Sequence, residues 1–347
     1  MVRTLAVAAA ILLSGCASAP TGKRAGSAEQ PLAVIDAHVH TNFADGPFEP
    51  GKVMDSKAEL WTEMMGYHVV GAVSMDHPGD PYADLSDLNI VQCVGLPAKV
   101  DADKLETDLL SGKYGCIIIY LGYQKQYASD PNYEPAYRLA EKYDVPVVLQ
   151  TGELPSRAAS MFGADEVAPS HPKVTFVLAH EGNPHTAVQR ERDDYLRKYA
   201  RPAVVIGLGD DPWIRPAAAV AYKNPNVVLD GSALLIGDLL AASPAQVTEY
   251  LLGRVHWIFN YVANPAKLMF GTAWPRTEIG PYLEVFKLAI PREYWQAVFH
   301  DNAERVYGFD RRPLRKSQKS IGISALALPV ALAPTGITAA PVPLCRP

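Results

Sequence analysis

The feature that most constrains the fold is an alternation of short β-branched apolar runs with helical stretches, which begins at Pro31. Each pair has the length and composition of a βα unit, and a series of such units builds a parallel sheet covered by helices. Strands are predicted at Val34–His38, Val69–Met75, Ile90–Leu96, Cys116–Leu121, Val145–Leu149, Val174–Leu178, Val227–Leu229 and Leu268–Phe270. The helical patterns include Ser56–Gly66, Asp101–Ser111, Tyr133–Tyr143, Ile214–Lys223, Pro244–Phe259 and Glu293–Tyr307.

Eight βα units predict an α/β architecture, a closed (β/α)8 TIM barrel with its functional residues at the C-terminal ends of the strands. The chain of 347 residues has room for such a barrel and for further segments, since a barrel commonly takes about 250 residues. The alternative is an open doubly wound sheet, but no GxGxxG motif follows the first strand. The barrel is predicted over residues 31–310.

A targeting segment precedes the barrel. Arg3 is followed by the apolar stretch Leu5–Leu13, and a Leu-Ser-Gly-Cys motif ends at Cys16. This pattern resembles a bacterial lipobox, in which cleavage before the cysteine leaves it acylated, and an ordinary secretory signal is the alternative. Residues 1–16 are therefore predicted to be a lipoprotein signal peptide and residues 17–30 a flexible tether.

The predicted location is the bacterial cell envelope. No Asp follows Cys16 to retain the protein at the inner membrane, so the outer membrane is favoured. Membrane contact is expected through the lipid on Cys16, because the apolar stretch is shorter than the about 20 residues that span a bilayer.

Charge and cysteine content restrict the remaining functions. The formal net charge of −5 and the pI near 6.0, without a basic stripe, argue against nucleic-acid binding. A small molecule is the expected partner, and the sequence allows a homo-oligomer. Cys93 and Cys116 lie in apolar strand-like runs, so we interpret them as buried free thiols rather than as a disulfide.

Two regions depart from the alternation. Residues 184–211 form an insertion after strand six, predicted to lie above the barrel mouth as a lid or partner surface. Residues 311–347 begin with a basic run and continue with an Ala/Leu/Pro-rich stretch, which predicts a disordered tail.

The end of the first strand carries a His-x-His motif, His38 and His40. Residues i and i+2 of a strand point to the same face, so both imidazoles would project together from the strand end. Imidazole is a preferred ligand of zinc and similar ions. The pair is therefore a candidate for half of a metal site, although such a motif also arises by chance.

Five stretches, in order, resemble the amidohydrolase-related proteins of the amidohydrolase superfamily, the branch that includes aminocarboxymuconate semialdehyde decarboxylase. They are VIDAHVH, PNYEPAYRLAEKYDVPVVLQTGE, VTFVLAHEGNP, AYKNPNVVLDGSALL and KLMFGTAWP, between about Val34 and Phe309. The resemblance implies a TIM barrel of the metal-dependent hydrolase type that holds one or two divalent metals, zinc first among them.

The resemblance also assigns residues to roles. It implies that His38 and His40 are metal ligands and that His180 is the catalytic histidine at the end of strand six. Gln150 stands where the family has a strand-five His, and Ala273 where it has a strand-eight Asp. An amide oxygen is a weak neutral ligand and alanine supplies none, so the expected metal site is incomplete.

Neighbouring carboxylates are candidates to replace the lost ligands. Glu153 follows Gln150, Asp76 ends strand two, and Glu181 adjoins His180. A carboxylate from Glu153 or Asp76 would restore a set of two histidines and one carboxylate. For each of these acids a solvated or hydrogen-bonded loop residue is the simpler interpretation. We interpret Asp36 as a structural hydrogen-bond acceptor at the mouth.

Two functional hypotheses follow. The first is an amidohydrolase-related enzyme, a metal-dependent C–N or C–O hydrolase or a decarboxylase, that acts on a small organic substrate in the bacterial envelope. The alternative is a catalytically degenerate barrel that binds a ligand without the metal, because the residues at 150 and 273 have both changed. A purely structural envelope protein is supported by nothing beyond the lipobox.

Overall fold

The computed structural model describes residues 31–43, 56–75, 77–79, 85, 87–124, 126–151, 162–182, 206–207 and 211–310. Eight strands of one sheet lie within these ranges. They are β1 Val34–Val39, β2 Val69–Met75, β3 Ile90–Leu96, β4 Tyr114–Tyr120, β5 Val147–Gln150, β6 Phe176–Leu178, β7 Val227–Asp230 and β8 Leu268–Met269. Each predicted strand is present, with ends that match the prediction or differ from it by at most two residues.

The strands follow one another around the sheet in chain order, and every pairing between them is parallel. The backbone also joins β1 to the chain after β8, because Ala37 N–H donates to Phe270 (2.9 Å) and Ala273 N–H donates to His38 (2.7 Å). This nearly closed arrangement confirms the (β/α)8 barrel. The open doubly wound sheet is wrong, since it would leave the first and last strands apart.

Helices cover the outside of the barrel. The Ser56 side chain accepts from Glu59 N–H and the Glu59 carboxylate accepts from Ser56 N–H, so a capping box starts the first helix. Asp101 caps the second in a similar position. The helices are Lys57–Gly66, Ala102–Leu110, Leu121–Gln124, Glu134–Tyr143, Phe162–Val167, Asp211–Lys223, Pro244–Val247, Gly253–Val262, Ile279–Ala289 and Asn302–Tyr307.

The hydrophobic core has two layers. One lies between the strands and the helices, and the other fills the barrel with alternate strand residues such as Ile35, Val73 and Ile118. Tyr307 and Phe309 belong to the inner layer and close the end of the barrel where the strands begin. A Cβ on Gly71 would lie only 2.8 Å from the Phe309 ring, so this position has no room for a side chain.

Cys93 and Cys116 form a disulfide inside the barrel. The two cysteines are register partners on the parallel strands β3 and β4, with their Cα atoms 4.3 Å apart, and both are fully buried. The interpretation as free thiols is therefore wrong, although their burial is as expected. The register between the strands, which the sequence does not state, brings the two sulfur atoms together.

Several predicted segments lie outside the described residues. These are residues 1–30 with Cys16, the tail 311–347, and the insertion 184–211 except for residues 206–207 and 211. Ile206–Gly207 pairs antiparallel with Leu235–Ile236 in a short ribbon separate from the barrel sheet. Among the helices that the structure describes, none has the length and apolar character to cross a membrane.

Candidate functional site

Buried polar residues meet at the end of the barrel where the strands finish. His38 comes from β1, Asp230 is the last residue of β7, and His180 follows β6. A register irregularity between Asp36 and Val39 interrupts the pairing of β1 with β2. The chain after β8 then pairs with the end of β1, since His40 N–H donates to Trp274 at 2.8 Å. The mouth is thus built from four different strands.

His38, His180 and Asp230 form one compact group. Each offers a ligand atom, and these atoms lie within 4.8 Å of one another. His38 Nδ1 lies 3.1 Å from Asp230 Oδ2, and the rings of His38 and His180 have centroids 4.5 Å apart. His40 lies outside this group, with its ring edge-on to His38 at a centroid distance of 5.2 Å.

The Asp230 carboxylate organises the group. Burial raises its pKa, but the charge of His38 and the hydrogen bonds from His38 and Ser232 outweigh that effect and lower the pKa to about 2. The ionised carboxylate can only accept. Its Oδ1 accepts from His180 N–H (3.2 Å), from Ser232 N–H (3.0 Å) and from the Ser232 hydroxyl, and its Oδ2 accepts from His38 Nδ1–H.

These acceptors fix the histidine tautomers. His38 Nδ1 must carry its proton because Asp230 only accepts. Ser232 uses its own proton on Asp230, so its oxygen accepts from His180 Nδ1–H at 2.8 Å. His40 Nδ1 lies 3.3 Å from the Met75 carbonyl, which also only accepts. In the neutral form of each ring the lone pair is therefore on Nε2.

His38 and His40 differ in what surrounds them. The buried Nε2 of His38 has no hydrogen-bond partner among the described residues. For His40, desolvation by burial lowers the pKa well below its usual range, and the charges of His38 and Arg276 lower it further. His40 is therefore a neutral imidazole, the form that binds a metal or accepts a proton.

Asp36 joins β1 to the chain that follows β8. Its oxygens accept from the Thr272 hydroxyl (2.6 Å), from Thr272 N–H (3.0 Å) and from His38 N–H (3.0 Å). Burial raises its pKa to about 7, against the lowering effect of these bonds. The carboxyl contacts the backbone that carries His38 and therefore has a structural place at the mouth.

Glu181 is buried but does not enter the three-residue group. Its carboxyl lies beside Gly231, and among the described residues neither oxygen has a hydrogen-bond partner. Burial raises its pKa to about 8, with Arg254 opposing the effect and Asp230 adding to it. Both His180 (φ 55°) and Glu181 (φ 52°) have left-handed backbone conformations, a strained turn directly after β6.

Gln150 and Ala273, where the resemblance implies a histidine and an aspartate, are also at the mouth. Gln150 is the last residue of β5 and is buried. Ala273 is fully buried with φ 63°, and its N–H donates to His38. The proposed substitutes Glu153 and Asp76 lie outside the described residues, so their roles stay predictions.

Two site residues, Asp230 and Ser232, are not among the candidates that the sequence motifs indicate. Asp230 bonds His38 across 192 positions of sequence, and Ser232 links it to His180. The available signal was the Val-Val-Leu-Asp-Gly-Ser stretch, in which a carboxylate ends an apolar strand of a barrel.

The donor set fits a divalent transition metal. It combines two imidazoles and one carboxylate within 4.8 Å, and the buried Nε2 of His38 lacks a partner among the described residues. A carboxylate on the Nδ1–H of a metal-binding histidine is a common arrangement, because it fixes the ring and raises its basicity. His38 and His180 would hold the ion with Asp230 as ligand or as orienting partner.

Fold and site together define a (β/α)8-barrel protein with a histidine–aspartate centre at the C-terminal ends of its strands. The chain belongs to the amidohydrolase family, whose model matches residues 35–309. No curated protein matches the chain in sequence.

Solved structures with the same fold share little sequence with the chain. An assigned 2-pyrone-4,6-dicarboxylic acid hydrolase from Pseudomonas putida is 15% identical with a TM-score of 0.56, covering 80% of this chain and 98% of that one. A zinc-bound amidohydrolase from Burkholderia multivorans is 15% identical with a TM-score of 0.56, covering 80% and 99%. The 5-carboxyvanillate decarboxylase of Sphingomonas paucimobilis is 13% identical with a TM-score of 0.51, covering 80% and 99%. At these identities the likeness concerns the fold.

Proposed function

We propose that the protein is a metal-dependent hydrolase, or a decarboxylase of similar mechanism, that acts on a small organic acid at the barrel mouth. The observation that carries the proposal is the buried Nε2 of His38, which Asp230 orients within the His38–His180–Asp230 group. Similar folds include a 2-pyrone-4,6-dicarboxylic acid hydrolase and a 5-carboxyvanillate decarboxylase, which supports the choice of substrate class.

Each side chain has a separate task in this proposal. A divalent ion, zinc first, would supply a Lewis acid and lower the pKa of bound water. Asp230 holds the His38 ring so that Nε2 faces the site. Ser232 accepts from His180 Nδ1–H, so the His180 lone pair is on Nε2, the atom that would bind the ion together with His38.

The test is metal content together with turnover. Purified protein is loaded with zinc, manganese or nickel at neutral pH, freed of loose metal and measured by elemental analysis. One ion per chain is expected, and His38→Asn should lose it while the partly buried control His300→Asn keeps it. Absence of stoichiometric metal from the wild type would contradict the proposal, as would metal-loaded protein that turns over no member of a panel of cyclic esters, amides and aromatic acids.

A degenerate barrel that binds its ligand without the metal is the second candidate. The observation in its favour is the paired change at Gln150 and Ala273, both at the mouth. Its test is the double restoration Gln150→His with Ala273→Asp. If the restored protein gains metal that the wild type lacks, the degenerate function is supported, and if the wild type is already fully loaded, it is wrong.

We also propose that the protein is exported and held in the cell envelope by a lipid on Cys16, at the outer membrane rather than the inner. The buried Cys93–Cys116 disulfide supports export, because such bonds persist in oxidising compartments. Labelling with a radioactive fatty acid tests the anchor: label should enter the wild type and not Cys16→Ser. Equal labelling of both, or recovery of the wild type only in the cytosolic fraction, would refute the location.

A further inference from the structure

A cluster of aromatic rings lies at the end of the barrel opposite the mouth. Tyr222 and Tyr261 are each the residue before the last in their helices, Asp211–Lys223 and Gly253–Val262. These helices lead into the starts of β7 and β8, so their C-terminal ends lie where the strands begin. The Trp257 ring stacks on Tyr261 at a centroid distance of 4.9 Å, and Tyr222 meets Tyr261 edge-on at 6.3 Å. We call these three rings the aromatic cluster.

Much of the aromatic cluster faces solvent. Tyr222 is 67% exposed and Tyr261 is 47% exposed, while Trp257 is partly buried against the helix layer of the core. Single exposed tyrosines are ordinary on a protein surface. Rings that contact one another form a continuous apolar patch instead, and such patches mark interaction sites. The cluster is therefore a surface that a partner would cover.

The C-terminal end of the chain contains a segment whose chemistry matches this surface. Residues 321–345 include no charged side chain, and most of them are aliphatic or proline. Segments that remain unfolded in water usually combine low hydrophobicity with high net charge, and this one has neither property. Its four prolines favour the extended polyproline conformation, which docks on surfaces lined by aromatic rings.

The aromatic cluster is within reach of this segment. Arg305 donates to the Ala266 carbonyl at 2.8 Å, which ties the last described helix to the chain just beyond Tyr261. Asp310 follows Arg305 by five residues, as Ala266 follows Tyr261, and five residues span at most about 18 Å. Tyr261 therefore lies no more than about 45 Å from Asp310, a distance that about 15 extended residues cover. Much of the segment 321–345 lies beyond that length of chain.

From the exposed rings, the uncharged segment and the length of chain between them, we infer that residues 321–345 dock on the aromatic cluster of their own chain. The leucines and prolines of the segment pack on Tyr222 and Tyr261, and the basic run that precedes them crosses from Asp310 to the cluster. The contact removes two apolar surfaces from water at once, which is favourable. It lies at the end of the barrel opposite the mouth, so the inference does not depend on the proposed function.

Photo-crosslinking of the purified full-length protein tests this contact. The photoreactive residue p-benzoylphenylalanine replaces Tyr222, and the irradiated protein is digested with trypsin and analysed by mass spectrometry. Trypsin cuts after Lys319 but not before Pro347, so the segment is recovered within one peptide, residues 320–347. We expect this peptide to be linked to position 222. The control carries the same residue in place of Tyr123, an exposed tyrosine in the helix that follows β4 at the mouth, and should not capture the peptide.

Substitutions in the segment show whether its apolar side chains make the contact. Serine in place of Leu326, Leu328 and Leu332 should lower the yield of the cross-link at least fivefold. Glutamine in place of Arg311 and Arg312 is the matched control and should leave the yield within twofold. Both sets of changes lie outside the barrel, so thermal unfolding of each variant should match that of the parent within about two degrees.

Three outcomes would overturn the inference. The first is failure of position 222 to capture peptide 320–347, or equal capture at position 123. The second is a cross-link that survives the leucine substitutions. The third is a link between two chains, seen when protein labelled with ¹⁵N is mixed with unlabelled protein, because a second copy would then occupy the cluster. Loss of the link on addition of vesicles of phosphatidylethanolamine and phosphatidylglycerol would likewise overturn it, since the segment would then prefer a membrane.

Discussion

Replacement of Asp230 by asparagine tests whether this carboxylate sets the tautomer of His38. The amide keeps the shape of the side chain and can place its oxygen on the Oδ1 side, where three donors converge. Its NH2 group then faces His38 Nδ1, which lies 3.1 Å from Oδ2 in the wild type. Two donors cannot bond each other, so His38 must move its proton to Nε2 or turn away.

The size of the effect follows from the Asp230 environment. A folded-state pKa of about 2 against the ordinary 3.8 corresponds to about 2 kcal/mol of stability at neutral pH. Because the folded pKa is lowered, this stability is present above pH 3.8 and is lost as the pH falls towards 2. Asp230→Asn should therefore lower the melting temperature at pH 7 by roughly 4–8 °C.

Metal affinity gives the decisive measurement. Protonation of Nε2 removes a ligand, so zinc should bind Asp230→Asn about 10–100-fold more weakly, as followed by competition with a chromophoric chelator. Asp238→Asn is the control, because Asp238 is an exposed carboxylate that caps a short helix through an oxygen that asparagine retains. If Asp230→Asn bound zinc as tightly as the wild type, the assignment of the His38 tautomer would be refuted.

Three other predictions concern the scaffold. Lys267 Nζ donates to the carbonyls of residues 224, 225 and 227 at 2.7–2.8 Å. Lys267→Met should therefore lower the free energy of unfolding in urea by about 3 kcal/mol, and an unchanged urea midpoint would contradict this. The Cys93–Cys116 disulfide joins residues with a sequence separation of 23, so replacement of both cysteines by alanine should lower the free energy of unfolding by about 3 kcal/mol. Equal stability of the oxidised and the reduced wild type would contradict this prediction. Burial raises the pKa of Glu181 from 4.5 to about 8, so the stability of the metal-free wild type should fall as the pH rises from 4.5 to 8. The melting temperature of Glu181→Gln should therefore rise relative to that of the metal-free wild type between pH 5 and pH 8. A difference that stays constant with pH would argue against a neutral Glu181.

Periodicity and strand-end chemistry made much of the fold predictable. Each barrel strand is a short apolar run in the sequence. The capping residues Ser56 and Asp101 mark the starts of two helices. The spacing of His38 and His40 likewise predicted that both would lie at the end of β1, where they are found. These features depend on residues close in sequence.

Features that depend on barrel closure were not predictable. The contact of Asp230 with His38 joins β7 to β1, and the Cys93–Cys116 disulfide depends on the register of two strands. Sequence spacing contains neither the curvature of the sheet nor the register of its strands. The burial of Glu181 depends in the same way on a left-handed turn after β6, which no local sequence pattern predicts.

The backbone at Ala273 has a conformation that suits aspartate or asparagine better than alanine. Its φ of 63° is unfavourable for alanine, whereas Asp and Asn are several-fold enriched in this region. The resemblance of this stretch to the amidohydrolase-related proteins implies an aspartate at this position. An aspartate could therefore occupy this position without a change in the backbone.

Ala273→Asp should consequently fold, and its effect should depend on metal. A carboxylate at this fully buried position is destabilising when no cation is present, so the variant should melt below the wild type in chelator. With zinc added, the new ligand should raise affinity at least tenfold and give a larger rise in melting temperature than the wild type shows. Ala273→Asn, which shares the backbone preference but not the charge, separates relief of strain from metal binding. If zinc raised the melting temperatures of both variants equally, a carboxylate at position 273 would not be a ligand, and the prediction would be wrong.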